Sequence, residues 1–366
     1  MVWFAMIKKS IFGLIVVTAA LSLTACNPPL PPELQAELAD NSINCGDAPI
    51  SISAPAYLSP IFEQWIFEYS ELCAGAGPST LSQDPSAPSE LVISASAVPP
   101  ASCDAYLSVP VMAGATVIAA SLQGLDGMVL DPPTLVQVLN GEITSWDDPA
   151  ITSLNPQFEA LPLPIKLSST ISNFDAEAVD SWLSRVAPQE WKGWPASFTV
   201  LDQEFDENNA PLELYEDGGL TFIPYWFASI NSSQTIQIKV DPNLEPVPST
   251  QDHVTSGVSQ LTLESSESSS IATLDPTRTP LPIEGFDVPV APWQAIVPVY
   301  AHACSGGSEL DTRSFIRFML RSFSQAALPN YASFGLPAEL RGLVIESVSR
   351  GLPSPSPLEP DTAATP

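Results

Sequence analysis

Short, apolar, β-rich segments alternate with segments of helical spacing along this chain, and this order constrains the fold more than any other feature. Ser59 and Pro60 supply an N-cap and a first-turn proline, and apolar residues then recur at helical spacing as far as Cys73. Alternating strands and helices favour an α/β fold with largely parallel sheets. The predicted strands are 50–54, 91–95, 109–120, 165–167, 220–227 and 295–300, and the predicted helices are 59–73, 133–139, 174–186, 315–323 and 340–348.

The first 26 residues have the order of an export signal. Lys8 and Lys9 precede an apolar stretch at 11–23, which small residues and Cys26 follow. This stretch is nearer the ~10–14 residues of a signal core than the ~20 residues of a membrane span, which is the alternative. Its end, Leu-Thr-Ala-Cys, resembles the bacterial lipobox, where cleavage precedes the cysteine and the thiol carries the lipid. We predict a signal peptide at 1–25 and a lipidated Cys26 that anchors the chain to the outer face of the cell membrane.

Acidic residues dominate the charge of the chain. There are 41 Asp and Glu against 12 Lys and Arg, and the formal net charge is −29. Nucleic acid is a poor partner for such a surface, because phosphate binding needs clustered Lys and Arg. Most of the carboxylates are expected to keep an exposed protein soluble.

The cysteines predict disulfides and not a metal site. Four of them remain after Cys26, an even count outside the reducing cytosol, which predicts two disulfides with three possible pairings. There is no Cys-x-x-Cys, and His253 and His302 lie in unrelated settings, so we predict no metal and no cofactor. The disulfide candidates are Cys45, Cys73, Cys103 and Cys304.

Three segments have the composition of linkers or loops. Residues 26–44 begin with a proline-rich stretch, which predicts a lipidated tether. Residues 247–281 are rich in Ser, Thr and Pro and are predicted to be a flexible insertion. The Pro/Ser-rich tail at 351–366 is predicted to be disordered.

Two long blocks of sequence resemble one protein family. Residues 109–120 and 130–151, the latter containing LNGEITSWDDPAI, are similar to a signature of the phosphate-binding lipoproteins of bacterial phosphate ABC transporters. Residues 218–228 and 299–304 resemble two further strands of that family. The resemblance covers roughly residues 45–350.

The resemblance implies a type II periplasmic-binding-protein-like fold, in which two α/β lobes joined by two crossing strands hold a ligand in the cleft between them. Lobe one would comprise 45–110 and 290–350, and lobe two would comprise 111–289. The implied partners are a small polar ligand or oxyanion, with phosphate as the family's ligand, and an ABC transporter permease.

The three loops that hold phosphate in this family are altered here. The first, a Gly-Ser-Thr turn in the family, corresponds to a stretch with Ala54 at the glycine position. The second has Ala97 in place of an aspartate that accepts the ligand's proton. The third has Ser169 in place of an arginine. The positions that match the family's ligand loops, and are therefore candidate ligand residues, are Ser53, Ala54, Ser94, Ser96, Ser169, Thr170, Ser172 and Asn173.

Charge at the third loop disfavours an anion. Asp175 and Glu177 lie in the first turn of the predicted helix, where they would satisfy the helix dipole and repel phosphate. The nearby cation, Lys166, is expected to be a solvated charge at a strand edge. We therefore expect weak phosphate binding, and either another small polar ligand or a vestigial cleft.

The vestigial alternative is a lipoprotein that keeps the fold without a transport ligand and acts as a sensor or interaction surface. A cleft filled by Tyr57 or Phe174 would favour it. An enzyme is not expected, because there is no Gly-x-Ser-x-Gly and His302 lies beside the disulfide candidate Cys304.

Other residues have ordinary structural explanations. Arg313, Arg317 and Arg321 stand four apart and are expected to form a solvated helix face that pairs with Glu309. Trp182 lies on a helical apolar stripe and is expected in the core. Trp191 and Trp194 could belong either to the core or to a ligand site.

Overall fold

The computed structural model describes residues 30–84, 87–201, 209–266, 268–283 and 285–358. The predicted signal peptide, Cys26 and residues 359–366 of the predicted tail lie outside these ranges. Within them, none of the helices has the length and apolar character needed to cross a bilayer.

Strands and helices alternate along most of the described chain, as the sequence pattern predicts. The strands are β1 (Ser42–Ile43), β2 (Ser51–Ser53), β3 (Thr80–Ser82), β4 (Leu91–Ser94), β5 (Ala105–Ser121), β6 (Val129–Leu130), β7 (Lys166–Leu167), β8 (Thr170–Ser172), β9 (Thr199–Leu201), β10 (Gly219–Pro224), β11 (Gln237–Ile238), β12 (Leu261–Ser265), β13 (Ser270–Leu274), β14 (Ile296–Cys304) and β15 (Ser356–Pro357). The α-helices are α1 (Pro32–Asp40), α2 (Ser59–Leu72), α3 (Pro132–Leu139), α4 (Pro149–Leu154), α5 (Asn173–Val186), α6 (Tyr225–Ile230), α7 (Gln251–Val258), α8 (Glu309–Met319), α9 (Ser322–Ala326) and α10 (Ala338–Ser349).

One seven-stranded sheet, in the order β3-β2-β4-β14-β5-β10-β7, runs through both lobes. Strand β5 pairs with β14 over residues 105–115 and with β10 over residues 116–121. Strand β14 pairs in turn with β4. Strands β5 and β14 are therefore the two crossing strands of the type II periplasmic-binding-protein-like fold. We call the side with β2, β3 and β4 lobe one and the side with β7 and β10 lobe two.

The prediction of largely parallel sheets is wrong at the centre of this sheet. The pairs at its two ends, β2 with β3 and β4, and β10 with β7, are parallel. The pairs that involve the crossing strands, β4–β14, β14–β5 and β5–β10, are antiparallel. The reason is topological, because β5 leaves lobe one and β14 returns to it in the opposite direction.

Helices bury their apolar stripes against this sheet and against each other. Helix α2 buries Trp65 and Tyr69, and the Tyr69 ring meets the edge of Phe315 in α8 at a centroid distance of 5.3 Å. Each such side chain contributes about 1.5–3 kcal/mol when fully buried. Trp182 is buried as predicted and stacks on Trp293.

Trp191 and Trp194, which the sequence left open, belong to the packed interior of lobe two. Their rings meet edge to face at 5.3 Å, and Trp194 packs in turn against Phe222 of β10. The indole N–H of Trp191 donates to Asp180 and that of Trp194 donates to the Ala176 carbonyl.

Two disulfides form, as the cysteine count predicts. Cys45 pairs with Cys73, which ties the segment before β2 to the end of α2. Cys103 pairs with Cys304, which ties the loop after β4 to the end of β14. Both bonds lie in lobe one.

The predicted tether at 26–44 contains a packed helix. Helix α1 begins with Pro32 in its first turn and buries the small residues Ala36 and Ala39. At its end Asp40 forms an ion pair of 3.2 Å with the buried Arg341 of α10. Small residues on α1 and Gly342 on α10 let the two backbones approach closely, so this part of the chain is folded onto lobe one.

The arginine stripe on α8 and its end is largely buried, which corrects the prediction of a solvated face. Arg313 does pair with Glu309, at 3.9 Å. Arg317 and Arg321, however, are only 4% and 3% exposed. Their guanidinium groups donate to the carbonyl oxygens of Ser42 and Asp40, respectively. Carbonyls just past a helix have no intrahelical donor, and arginine supplies several donors to them.

The predicted flexible insertion at 247–281 contains regular secondary structure across its described residues. It forms α7 and the hairpin β12–β13, which reaches lobe one. The Ser108 amide donates to the Ser268 carbonyl, and the Ala272 amide donates to the Tyr300 hydroxyl. Several of its Ser and Thr hydroxyls form hydrogen bonds within the hairpin.

The start of the predicted disordered tail is also paired. Residues Ser356 and Pro357 form β15, which runs antiparallel to β1. Asn44 supports the same contact by donating from its side-chain amide to the Pro353 carbonyl.

Gly342→Ala tests the docking of α1. A methyl group at this position would overlap the Pro32 carbonyl. We expect the free energy of unfolding to fall by about 1–3 kcal/mol in urea titrations, because overpacking outweighs the gain in helix propensity. The control is Gly75→Ala, where a methyl group meets nothing within 4 Å and the change should stay within about 0.5 kcal/mol. If residues 32–40 were a free tether, Gly342→Ala would instead stabilise the protein.

Candidate binding cleft

The cleft lies between the loops after β2 and β4 in lobe one and the start of α5 in lobe two. Its central cavity has a volume of about 30 Å³, which is space for about one or two water molecules. Of the eight predicted ligand residues, Ser172 lines this cavity and the other seven do not. The lining residues are Tyr57, Gly114, Ala115, Ser172, Phe174, Asp175, Pro224, Trp226, Val297, Val299, Ala332 and Ser333.

Aromatic side chains from both lobes fill the space. Tyr57 of lobe one stacks on Trp226 of lobe two, with ring centroids 4.8 Å apart and planes 3° apart. Phe174 adds a third ring to the wall. Stacked aromatic pairs contribute about 0.5–1.5 kcal/mol beyond their buried area, so this contact stabilises the arrangement in which the two lobes touch.

The hydroxyl of Ser53 is used within lobe one. Ser53 is buried at the end of β2 and donates to the Asp84 carbonyl at 2.9 Å. Ala54, which follows it, is also buried and donates its amide to the Ser82 carbonyl. The first loop therefore directs its polar groups into the protein interior.

A buried histidine holds the second loop. His302 of β14 lies between two hydroxyls, with Ser94 at 3.0 Å from Nε2 and Ser108 at 2.9 Å from Nδ1. The Ser96 carbonyl lies 3.1 Å from the same Nε2. Burial lowers the pKa of His302 to about 4, so the ring is neutral at physiological pH. In the sequence, His302 stands beside Cys304 with no local pattern that would indicate this role.

The third loop caps α5. Ser172 is the N-cap, and its hydroxyl accepts from the Asp175 amide at 3.1 Å. Ser168 lies 3.2 Å from the Thr170 hydroxyl. Asn173 begins the helix and Ser169 is exposed.

Asp175 occupies the position at which the start of α5 faces the cavity. It is 2% exposed, and its carboxyl accepts from Thr116 at 2.7 Å and from Ser172 at 2.6 Å. Burial raises the pKa of Asp175 to about 6, although both hydroxyl hydrogen bonds oppose this rise. The carboxyl thus lies in the first turn of the helix, as predicted. It occupies the N-terminal end of α5, where the helix dipole would otherwise stabilise an anionic ligand.

The cation nearest in sequence to the third loop is directed elsewhere. Lys166 is exposed and pairs with Glu216 at 3.1 Å, which agrees with the prediction of a solvated charge. Arg185, at the other end of α5, lines a second cavity of about 280 Å³ beside Phe174. Arg185 was not predicted as a site residue. Its spacing from Phe174, Glu177 and Ser181 places all four on one helix face and could have indicated it. Among the described residues, no group of three or more metal-ligating side chains is assembled.

Two curated relatives are phosphate-binding proteins of mycobacteria. The chain is 29% identical over 166 residues to phosphate-binding protein PstS 3 of Mycobacterium leprae, a match that covers 43% of this chain and 44% of that protein. It is 23% identical over 250 residues to PstS 2 of Mycobacterium tuberculosis, which covers 66% and 65%. The chain therefore spans less than two-thirds of the length of these relatives. No protein-family model matches it.

Solved structures share the fold at low sequence identity. The phosphate-bound, high-affinity periplasmic protein PfluDING superposes with a TM-score of 0.55 at 13% identity, covering 84% of this chain and 99% of its own. An ancestral soluble variant of the human phosphate binding protein superposes with a TM-score of 0.52 at 13% identity, covering 81% and 93%.

The chain is thus similar, at 23–29% identity over part of its length, to phosphate-binding proteins of mycobacteria. The structural likeness supports the type II periplasmic-binding-protein-like fold that the crossing strands display. The relatives are named as phosphate-binding proteins, and the sequence predicts no enzyme for this chain.

Asp175→Asn tests the buried carboxyl through pH. The folded-state pKa of Asp175 is raised from 3.8 to about 6, so the native state holds a proton that the unfolded chain has lost between these values. The stabilising contribution is fully present below about pH 4 and is lost as pH rises through about 6. We expect the stability of the variant relative to wild type to increase by up to about 3 kcal/mol from pH 4 to pH 7, measured by urea unfolding.

The control for this experiment is Asp287→Asn, which alters an exposed carboxyl. Its stability difference from wild type should stay flat over the same pH range. A flat difference for Asp175→Asn as well would contradict the burial that raises the pKa of this carboxyl.

Proposed function

We propose that this chain is a lipid-anchored, extracytoplasmic solute-binding protein that works with an ABC transporter permease and whose ligand is a small polar solute other than the phosphate dianion. The fold and the relatives support a receptor role. The Tyr57–Trp226 stack supports the exclusion of the phosphate dianion, since it occupies the groove between the lobes. The same filling is the observation that would favour a lipoprotein without a transport ligand, so that alternative stays the second candidate function. The buried Asp175 carboxyl supports it too, because a dianion placed beside it would be repelled.

The proposed mechanism is closure of the lobes about β5 and β14. A ligand that contacts both lobes binds the closed form better than the open form and shifts the population toward it. The Tyr57–Trp226 stack also joins these two lobes. In this proposal, the stack therefore favours the closed form even without a ligand. A permease would then recognise the closed protein.

Titration calorimetry of the full-length chain in detergent against phosphate and a panel of oxyanions and polar solutes tests this function. We expect phosphate to bind, if at all, weaker than micromolar, and at least one other solute to bind more tightly. Submicromolar phosphate binding would contradict the account of the altered loops. If no solute bound, the protein would be a fold-retaining lipoprotein that acts as a sensor or interaction surface.

Cys26→Ser tests the anchor. Without the thiol, the lipid cannot be attached and the signal cannot be cut at a lipobox. We expect the lipid-labelled band seen for wild type after metabolic labelling with a fatty acid to disappear. Cys45→Ser together with Cys73→Ser is the control, since it removes thiols that form a disulfide and should leave labelling intact. Equal labelling of Cys26→Ser and wild type would exclude lipidation at this residue.

A further inference from the structure

A second cavity lies beside the filled central groove. Its volume is about 280 Å³, close to the lower limit of small-molecule sites. Its wall joins three parts of the molecule: the loop after β4 in lobe one, helix α5 in lobe two, and the hairpin β12–β13 that spans the two. The lining residues are Ala95, Ala97, Phe174, Glu177, Ala178, Ser181, Arg185, Leu261, Ile271, Ala272, Thr273, Leu274, Gln294, Ile296, Val297, Pro298 and Tyr300.

Arg185 is the cation of this cavity. One terminal nitrogen of its guanidinium donates to Ser181 at 2.7 Å and the other to the Gln294 carbonyl at 3.3 Å. Its Nε is buried and has no hydrogen-bond partner among the described residues. No carboxylate of the described chain forms an ion pair with it, although acidic residues outnumber basic ones more than threefold. One hydroxyl and one backbone carbonyl thus position the side chain, but neither carries a negative charge that would balance the guanidinium.

About half of the wall is apolar. Its apolar lining includes Leu261 and Leu274 of the hairpin together with Phe174 and Ile296. An apolar ligand body of matching size would remove water from this surface, which contributes about 25 cal/mol per Å² of apolar area buried. The cavity therefore suits a ligand that has one charged end and an apolar body.

Glu177 limits the charge of that ligand. It lies on the same face of α5 as Arg185, two turns before it, and lines the same cavity. A second negative charge on the ligand would have no cationic partner in the cavity and would be repelled by Glu177. The charge of Arg185 therefore matches a ligand with a single negative charge.

We propose that this cavity binds a small organic monocarboxylate, whose carboxylate is held by Arg185 and whose apolar body packs against the hairpin and Phe174. This inference rests on the proposed solute-binding function and names its ligand class. The ligand would contact lobe one at Ala97 and lobe two along α5, so its binding would favour the closed form. The hairpin β12–β13, which forms one wall, would then be part of the binding site.

Titration calorimetry of the full-length chain tests the proposal with butanoate, hexanoate and phenylacetate. The corresponding amides are neutral controls, and inorganic phosphate is the dianion control. We expect at least one carboxylate to bind at least about tenfold more tightly than its amide, as is typical of a charge-assisted hydrogen bond. Equal binding of acid and amide, or the absence of binding by all three acids, would overturn the proposal.

Two variants locate the site. Arg185→Gln removes the charge, and Ala97→Phe fills the cavity from a loop, so each should weaken carboxylate binding at least about tenfold. The matched control is Arg350→Gln at an exposed arginine outside the cavity, which should leave the affinity unchanged. Thermal unfolding of each variant confirms that it is folded before its affinity is interpreted.

The outcomes separate this proposal from the proposed function. A polar solute whose affinity is unchanged in both Arg185→Gln and Ala97→Phe would leave the receptor function standing and overturn the carboxylate site. The absence of binding by every solute and every carboxylate would overturn both.

Discussion

The shared strand β5 is the constraint on which the rest of this structure depends. It extends from Ala105 to Ser121 and pairs with β14 on one side of the cleft and with β10 on the other. Thirteen of its 17 residues are buried, on both faces of the sheet, which is why this stretch of sequence is apolar without alternation. Because β5 belongs to both lobes, any movement of one lobe against the other must bend this strand and its partner β14.

The cleft between the lobes is occupied by the protein's own side chains and their hydrogen bonds. In place of ligand-binding hydroxyls directed into the groove, Ser53 binds a backbone carbonyl, Ser94 binds His302, and Ser172 caps α5. Aromatic stacking between Tyr57 and Trp226 closes the remaining space. The polar groups of the loops are satisfied internally, so the loops keep their shape without a ligand.

Buried arginine side chains fix the position of the N-terminal helix α1 on lobe one. In a chain with so few cations, Arg317, Arg321 and Arg341 are buried and hold the end of α1 and the residues after it. Arginine can do this because its guanidinium offers several donors to carbonyl oxygens and remains charged when buried. Arg185 differs from these three, because it lines a cavity instead of closing a helix end.

The sequence by itself determined that strands and helices alternate, the α/β class, the number of disulfides and the presence of Asp175 in the first turn of α5. These follow from local patterns: apolar spacing, cap residues and cysteine count. Only the tertiary structure decided the disulfide pairing, the burial of Arg317 and Arg321, the packing of α1, the order in the Ser/Thr-rich hairpin and the cavity beside Arg185. The reason is that each of these depends on contacts between residues far apart in the chain, and a local pattern of polar residues is the same whether its partner is water or a distant carbonyl.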